Sequence, residues 1–201
     1  AEGLAAVDIS EADTTNEESG PEAESLRRLA TLLNRPSAPP LIELDASSGA
    51  LGMACAGPIL LAPLFSSDSC ALQKLSACGL SRGVMSSLAP ALSTNTTLVT
   101  LELNSNLFYG PAIDSLASSL ANHPSLTSLA LEHNPLRDGG GTAIASILPT
   151  TRIRSLSLSF TGVADGTCKA LANSNCAKLR SLRLTGNRIT SDGVTCLSAN
   201  G

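Results

Sequence analysis

The sequence contains no tryptophan, one tyrosine and three phenylalanines among its 201 residues. Because aromatic side chains usually dominate the energetics of protein interfaces, any binding face of this chain must depend on charge, shape or a broad area. Basic residues are also few, since 13 Lys and Arg stand against 17 Asp and Glu, for a formal net charge of -4. Such a chain provides no basic field for a phosphate backbone, so nucleic acid is not an expected partner.

Long apolar runs are missing as well. The longest, GPILLAPLF at residues 57–65, contains two prolines and is far shorter than the ~20 apolar residues that a membrane-spanning helix needs. We therefore predict no membrane span. The first residue is Ala rather than Met and no positively charged, apolar leader follows it, so we expect a targeting segment that is absent or already removed.

The six cysteines have no CxxC pair, and neither His123 nor His133 lies at a metal-ligand spacing to them. We predict no metal site and no cofactor, and interpret the cysteines as buried free thiols, with Cys78 and Cys168 as small core residues. This favours an intracellular, reducing compartment, which is the cytoplasm or, if the missing Met reflects processing, an organelle. One sequon, NTT at 95–97, would permit glycosylation if the chain were secreted.

A repeat is the strongest feature that the sequence does contain. Four segments place apolar residues at relative positions one, four and six, and they begin at Leu98, Leu126, Ile153 and Leu179: LVTLELNSN, LTSLALEHN, IRSLSLSFT and LRSLRLTGN. Their starts are separated by 28, 27 and 26 residues, a period typical of a solenoid built from one supersecondary unit per repeat.

Two earlier segments keep the pattern less completely. LIELDASSGAL begins at Leu41, retains Leu44 and has Ala46 at the sixth position. In ALQKLSACGL, we align Leu75 with Leu103 and Cys78 with Asn106, with an uncertainty of one or two residues in register.

Each repeat divides into a strand and a helix. Alternate side chains of a strand face opposite sides, so Leu101 and Leu103 are predicted to point into the core while Glu102 faces outward. After each strand, apolar residues recur at helical spacing in four sets: Met85, Leu88, Ala89 and Leu92; Ile113, Leu116, Ala117 and Leu120; Ile144, Ile147 and Leu148; Cys168, Leu171 and Ala172. We predict an α/β solenoid, a right-handed horseshoe with parallel strands on the concave face and helices on the convex face.

Polar and small residues mark the turns between the elements. A short amide side chain at the ninth position can satisfy backbone groups where the strand ends, a role predicted for Asn106, Asn134 and Asn187, with Thr161 as a weaker substitute. Four glycines are predicted to allow the tight turn into each helix: Gly110, Gly140, Gly166 and Gly193.

The chain is predicted to have three parts. Residues 1–20 are acidic and weakly apolar, and are expected to form an extended tail. Residues 21–40 combine an N-terminal capping helix, PEAESLRRLATLLN, with the Pro-rich linker RPSAPP. Residues 41–201 form the repeat domain, with about six repeats.

The pattern LxxLxLxxNxL followed by a short helix resembles the ribonuclease-inhibitor class of leucine-rich repeats. NTTLVTLELNSN is especially similar to repeats of NOD-like receptors and of many protist and algal proteins. The resemblance covers roughly residues 41–201, and it implies a horseshoe that binds other proteins through its concave strands and ascending loops, with no activity of its own. The chain lacks the alternating long repeats of ribonuclease inhibitor and shows no nucleotide-binding module.

No catalytic constellation accompanies the repeats, so we expect function in the outward residues of the strands. These run from acidic to basic along the chain, a gradient that would orient a partner of opposite polarity. The candidate protein-binding residues are Glu102, Asn104, Glu132, His133, Arg154, Arg180 and Arg183.

The preferred function is a non-enzymatic protein-interaction scaffold, an accessory subunit of a larger assembly that binds through the concave face and the open edge of the solenoid. One alternative is a regulator of a small GTPase, resembling the Ran GTPase-activating branch of the class, with Arg137 or Arg188 as the loop cation. Another is a secreted recognition receptor, which the sequon permits and the lack of a cysteine-paired cap opposes.

Overall fold

The computed structural model describes residues 6–8, 27–28, 30–31, 40–46, 61, 65, 70–80 and 82–199. These residues contain a sheet of seven parallel strands, paired in the order of the chain. The strands are β1 (Ala6–Asp8), β2 (Glu43–Ala46), β3 (Lys74–Ala77), β4 (Thr100–Glu102), β5 (Ser128–Ala130), β6 (Ser155–Ser157) and β7 (Ser181–Arg183).

A helix follows every strand from β3 onward. These helices pack against their neighbours in a second layer, and a short 3-10 turn at Arg82–Val84 precedes the first of them. They are α1 (Met85–Thr94), α2 (Pro111–Leu120), α3 (Arg137–Ile147), α4 (Asp165–Asn173) and α5 (Ser191–Ser198). The predicted α/β leucine-rich repeat architecture, with parallel strands in one layer and helices in the other, is confirmed.

The core is built from the leucines that define the repeat. In the repeats that begin at Leu98, Leu126 and Ile153, the apolar residues at positions one, four and six are all buried. The predicted helix faces are buried against them, except that Ala172 is half-buried. Since one buried Leu is worth roughly 2 kcal/mol of transfer free energy, these leucine columns and helix faces supply the main stabilisation.

The register of the first repeat is confirmed, because Leu44 pairs with Leu75 and Ala46 is fully buried. In the second repeat the predicted alignment is wrong by two residues. Leu75 pairs with Leu101, whereas the predicted alignment placed it opposite Leu103. The shift is favoured because it buries Leu72 and Ala77 at the first and sixth positions.

The cysteines follow the prediction only partly. Five of them lie in the described residues, all as free thiols, and Cys55 lies outside those residues. Cys168 is buried as predicted, and burial raises the pKa of its thiol. The other four described cysteines are half-buried rather than buried. Among them Cys78 lies level with Asn104, because of the two-residue shift, and not at the predicted ninth position.

The asparagines at the ninth position join neighbouring repeats, as well as closing the turn as predicted. Nδ2 of Asn134 donates to the carbonyl oxygens of Leu131 at 2.9 Å and of Leu103, in the preceding repeat, at 2.8 Å. Its Oδ1 accepts from the backbone N–H of Phe108 at 3.2 Å. Asn106 and Asn187 repeat this arrangement, and the Thr161 hydroxyl makes a single backbone bond, to the carbonyl of Leu158 at 2.7 Å.

Three of the four predicted turn glycines have a different role. Gly110 does precede its helix, with φ of 49°, a left-handed conformation that favours glycine. Gly140, Gly166 and Gly193 lie instead inside the first turns of α3, α4 and α5. There a Cβ would contact side chains of the same or the preceding repeat. The small residue therefore permits close packing of successive repeats.

A second glycine in α3 packs more tightly still. A Cβ added to Gly141 would collide with the side chains of Thr167 and Val163, from the next repeat. The neighbouring Gly139 has open space around it and a φ that suits any residue. The two positions therefore differ in packing although they lie in one helix.

Two aspartates that the sequence analysis did not single out also link the repeats. Asp138 Oδ1 accepts hydrogen bonds from the backbone N–H groups of Ala164 and Thr167 and from the Thr167 hydroxyl, at 2.7 to 2.9 Å. Asp165 accepts in the same way from Thr190, with one bond to the hydroxyl at 2.6 Å. Burial alone would raise the pKa of Asp138, but these bonds together lower it. The hydrogen bonds to Thr190 lower the pKa of Asp165.

His123 holds the start of a strand in place of an asparagine. Asn95 Oδ1 accepts from the backbone N–H of Leu98 at 2.8 Å, and His123 Nδ1 accepts from that of Leu126 at 3.2 Å, one repeat later. His123 is buried, and its Nε2 has no hydrogen-bond partner among the described residues. Burial lowers the pKa of this imidazole.

The structure describes only part of the tail and of the capping helix and linker predicted for residues 1–40. Within the tail predicted at 1–20, Ala6–Asp8 forms β1 and pairs with β2, so this piece is a strand of the sheet and not an unpaired extension. Residues 27, 28, 30 and 31 are helical, at the place of the predicted capping helix. The rest of both segments, including most of the Pro-rich linker, lies outside the described residues, and the three domain boundaries stay predictions.

At the other end of the sheet, β7 pairs with β6 alone in the described part of the chain. Leu182 and Leu184 are half-buried there, whereas the same positions are fully buried in the preceding repeats. This edge therefore presents apolar surface. Across the described ranges, no helix combines the length and the apolar character needed to cross a membrane.

Candidate protein-binding surface

The outward side of the strands, which we call the strand face, carries mostly small side chains. One row across β5, β6 and β7 consists of Ser128, Ser155 and Ser181, and the row beside it includes Ala130 and Ser157. Small residues leave the sheet surface open. The few long charged side chains therefore determine what a partner would meet.

The predicted residues Glu102, Asn104 and Glu132 lie in the acidic half of this face. Each is half-buried, and each is bonded across a strand boundary. The Ser76 hydroxyl donates to Glu102 Oε2 at 2.6 Å, and the Ser157 hydroxyl donates to Glu132 Oε1 at 2.5 Å. Asn104 Oδ1 accepts from the backbone N–H of Glu132 at 2.8 Å. These bonds fix the positions of the two carboxylates.

The three predicted arginines form the basic half, which we call the arginine face: Arg154, Arg180 and Arg183. All three are exposed. The backbone N–H of Arg180 donates to the carbonyl of Arg154, so the two residues lie side by side just before the adjacent strands β6 and β7, and Arg183 is the last residue of β7. Arg180 Nη1 donates to the carbonyl of Ala177 at 3.1 Å. Within the described ranges, no carboxylate forms an ion pair with any of the three.

His133 is not on the strand face with the other predicted residues. It lies in the loop after β5 with φ of 56°, and its exposed ring stacks on that of Phe160, with 4.7 Å between ring centroids and 6° between planes. This pair, which we call the ring stack, lies along the edge where the strands end. The equivalent loop positions of other repeats hold Gly79, Ser105 and Gly186, also at positive φ.

Phe160 was missed by the sequence analysis. Its side chain is 51% exposed, and its ring covers Gly186, where a Cβ would collide with it. Exposed Leu107 and Tyr109 lie on the same side of the molecule, in the loop after β4. The signal available in the sequence was an aromatic residue at the eighth position, where two of the four clear repeats have Ser or Gly.

Residues of the alternative functions are less favourably placed. Arg137 and Arg188 are exposed, but they occupy different positions of repeats that are not adjacent. The sequon residue Asn95 is buried, and its Oδ1 accepts backbone hydrogen bonds from Thr97 and Leu98, so a glycan there would require local unfolding. The described residues contain no group of three or more His, Cys, Asp or Glu arranged to hold a metal ion.

Comparisons with known proteins agree with the repeat architecture. A family model described as Leucine Rich repeat matches residues 122–145 and 175–198. The NACHT, LRR and PYD domains-containing protein 3 of Bos taurus is 33% identical over 177 residues, which cover 80% of this chain and 16% of that protein. The chain thus spans about one sixth of the length of this curated relative.

Two solved structures are also similar. Leiomodin-1 actin-binding site 2 matches with a TM-score of 0.48 and 20% identity, covering 60% of this chain and 74% of that one. An internalin of Listeria monocytogenes matches with a TM-score of 0.39 and 15% identity, covering 87% and 62%. Both TM-scores are below 0.5, so the assignment of the fold depends on the repeats, the sheet and the family model.

Proposed function

Since the chain is a leucine-rich repeat protein, a class that serves protein–protein interaction, we propose that it is a non-enzymatic scaffold that binds another protein on its strand face. In this proposal it is an accessory subunit of a larger assembly. The observation that carries the proposal is the division of one open face into two carboxylates fixed by serines and three exposed arginines.

This division gives the face a polarity. A partner with complementary charges would be oriented along the sheet, because like charges that meet across an interface cost several kcal/mol. The strands β2 to β7 span about 24 Å across the sheet at ~4.8 Å per strand, a width that accommodates a helix or a small domain of a partner.

We further propose that the protein works in a reducing, intracellular compartment. The five described free thiols support this, because disulfides form and persist in oxidising environments and are rare where thiols are kept reduced. The sequon residue Asn95 supports the same proposal, since it is buried and its Nδ2, the atom that would carry a glycan, already donates to Cys70 and Thr97.

Charge reversal on the strand face tests the proposed function. Tagged variants Glu132→Lys and Arg183→Glu, recovered from native extract, should each co-purify with less of the partner than the wild type does. Lys169→Glu is the matched control for Arg183→Glu, because Lys169 is exposed on α4, in the other layer. If all three variants are folded by circular dichroism and each recovers as much partner as the wild type does, the strand face is excluded as the binding site.

A further inference from the structure

We infer that the arginine face and the ring stack together bind an acidic segment of a partner protein that carries an aromatic or aliphatic side chain. The inference rests on the proposed function, because it assigns a partner chemistry to one half of the same surface. Two separate features lead to it, one electrostatic and one conformational.

The electrostatic feature is a basic end on an acidic chain. Residues 150–199 contain seven Lys and Arg and two Asp, a net charge of +5, whereas the whole chain carries -4. One of those two carboxylates, Asp165, is bonded within the fold to Thr190. Three exposed arginines without an ion pair in the described ranges raise the local concentration of acidic partners, and their planar guanidinium groups match carboxylates.

The conformational feature is the backbone of Phe160. Its φ of 56° lies in the left-handed region, which costs a non-glycine residue about 1 kcal/mol or more, and half of its ring remains exposed to water. Glycine occupies the same loop position in the next repeat. An aromatic side chain that is held in a strained conformation and yet not buried fits a residue kept for contact with a partner.

The two features are adjacent. The backbone N–H of Leu158 donates to the carbonyl of Arg183, at the end of β7, and that of Phe160 donates to the carbonyl of Thr185, two residues further on. The ring of Phe160 therefore lies just beyond the strand that carries Arg183, and Arg180 to Arg183 adds about 10 Å at ~3.3 Å per residue. An extended peptide of similar length would place carboxylates on the arginines and an apolar side chain against the exposed ring. Aromatic contacts of this kind contribute ~0.5–1.5 kcal/mol beyond the burial of area.

A purely structural role for Phe160 makes a different prediction. If the ring only shields the backbone, Phe160→Gly should destabilise the fold and leave peptide affinity unchanged. If the ring is a contact residue, the same substitution should weaken binding with little change in stability, because glycine relieves the strain at positive φ and offsets the lost stacking on His133.

Fluorescence anisotropy on the purified chain tests the inference. The probes are a short fluorescein-labelled peptide rich in Glu with one central Phe, a twin with Ala in place of that Phe, and a twin with Lys in place of the Glu residues. We expect the Glu–Phe peptide to bind, the Lys twin not to bind, and Arg183→Glu to weaken binding about tenfold or more. Lys169→Glu should weaken it less than Arg183→Glu.

The contribution of the ring is isolated by a double-mutant cycle. Phe160→Gly should weaken binding of the Glu–Phe peptide severalfold and leave the Ala twin unaffected. Equal losses for both peptides, or no loss with Arg183→Glu, would overturn the inference. Stronger binding of a single-stranded RNA oligonucleotide, lost in the same variants, would also overturn it, in favour of a nucleic-acid site. These measurements use synthetic peptides and no partner from native extract, so failure of this inference can be distinguished from failure of the proposed function.

Discussion

Removal of the Asn134 side chain is the most informative perturbation of the fold. Two of its hydrogen bonds connect neighbouring repeats: Nδ2 donates to the carbonyl of Leu103, and Oδ1 accepts from the N–H of Phe108. A third, from Nδ2 to the carbonyl of Leu131, lies within its own repeat. In Asn134→Ala, the Leu103 carbonyl keeps its bond from Asn106. The Leu131 carbonyl and the Phe108 N–H lose the partners described here.

The size of the effect follows from these two groups. Asn134 is 1% exposed, and a buried polar group without a partner costs ~1–3 kcal/mol. With two such groups, we expect Asn134→Ala to lower the free energy of unfolding by about 2–6 kcal/mol. Asn134→Thr should lose roughly half as much, because Thr161 in the next repeat retains one carbonyl bond.

Urea unfolding monitored by far-ultraviolet circular dichroism measures these differences, since the chain has no tryptophan for fluorescence. An unchanged m-value would show that the variants differ in stability rather than in the surface exposed on unfolding. Asn173→Ala, at an exposed position of α4, is the control and should change stability by less than ~0.5 kcal/mol. A loss below ~1 kcal/mol for Asn134→Ala, with Thr no better than Ala, would refute the bridging role.

Three further predictions concern packing and pH. Leu131→Ala should cost ~2–5 kcal/mol in the same assay because the side chain is fully buried, whereas Glu132→Ala should cost less than ~1 kcal/mol; equal losses would mean that the strand register is wrong. Gly141→Ala should destabilise the fold by ~1–3 kcal/mol through overpacking. Gly139→Ala, which has open space around the new methyl group, should stabilise it by up to ~1 kcal/mol. A higher midpoint of thermal unfolding for Gly141→Ala than for Gly139→Ala would contradict the packing of α3. His123 has a lowered pKa in the folded chain, so the imidazole takes up a proton at a higher pH in the unfolded chain than in the folded one. The free energy of unfolding should therefore fall as the pH drops below about 6.5. His123→Asn should remove this part of the pH dependence between pH 8 and 5, and an unchanged slope would disprove the assignment.

The elements with strong periodicity were predictable from the sequence. Leu98, Leu101 and Leu103 define the strand and its inward side without reference to anything distant, and the helix faces follow the same logic. The ninth-position asparagines were also predictable, because their task in the turn is local. Both depend on residues close together in the chain.

The features that failed or were missed depend on contacts between repeats. The second repeat was misaligned by two residues, since only pairing with β4 shows that Leu75 lies beside Leu101. The role of Gly166 depends on Asp138, which is distant in sequence but in contact through the stacked helices. Phe160 likewise becomes notable only when its exposure, its φ and its stacking on His133 are seen together.

The central claim, that the strand face binds another protein, is tested most directly by site-specific photo-cross-linking. A benzophenone amino acid would replace Ser155, on the strand face, or Ser146, which is exposed on α3. Illumination in native extract should give one discrete cross-linked product from position 155, reduced by Arg183→Glu, and no such product from position 146. Equal labelling from both positions, or a discrete product from position 146 alone, would contradict the account.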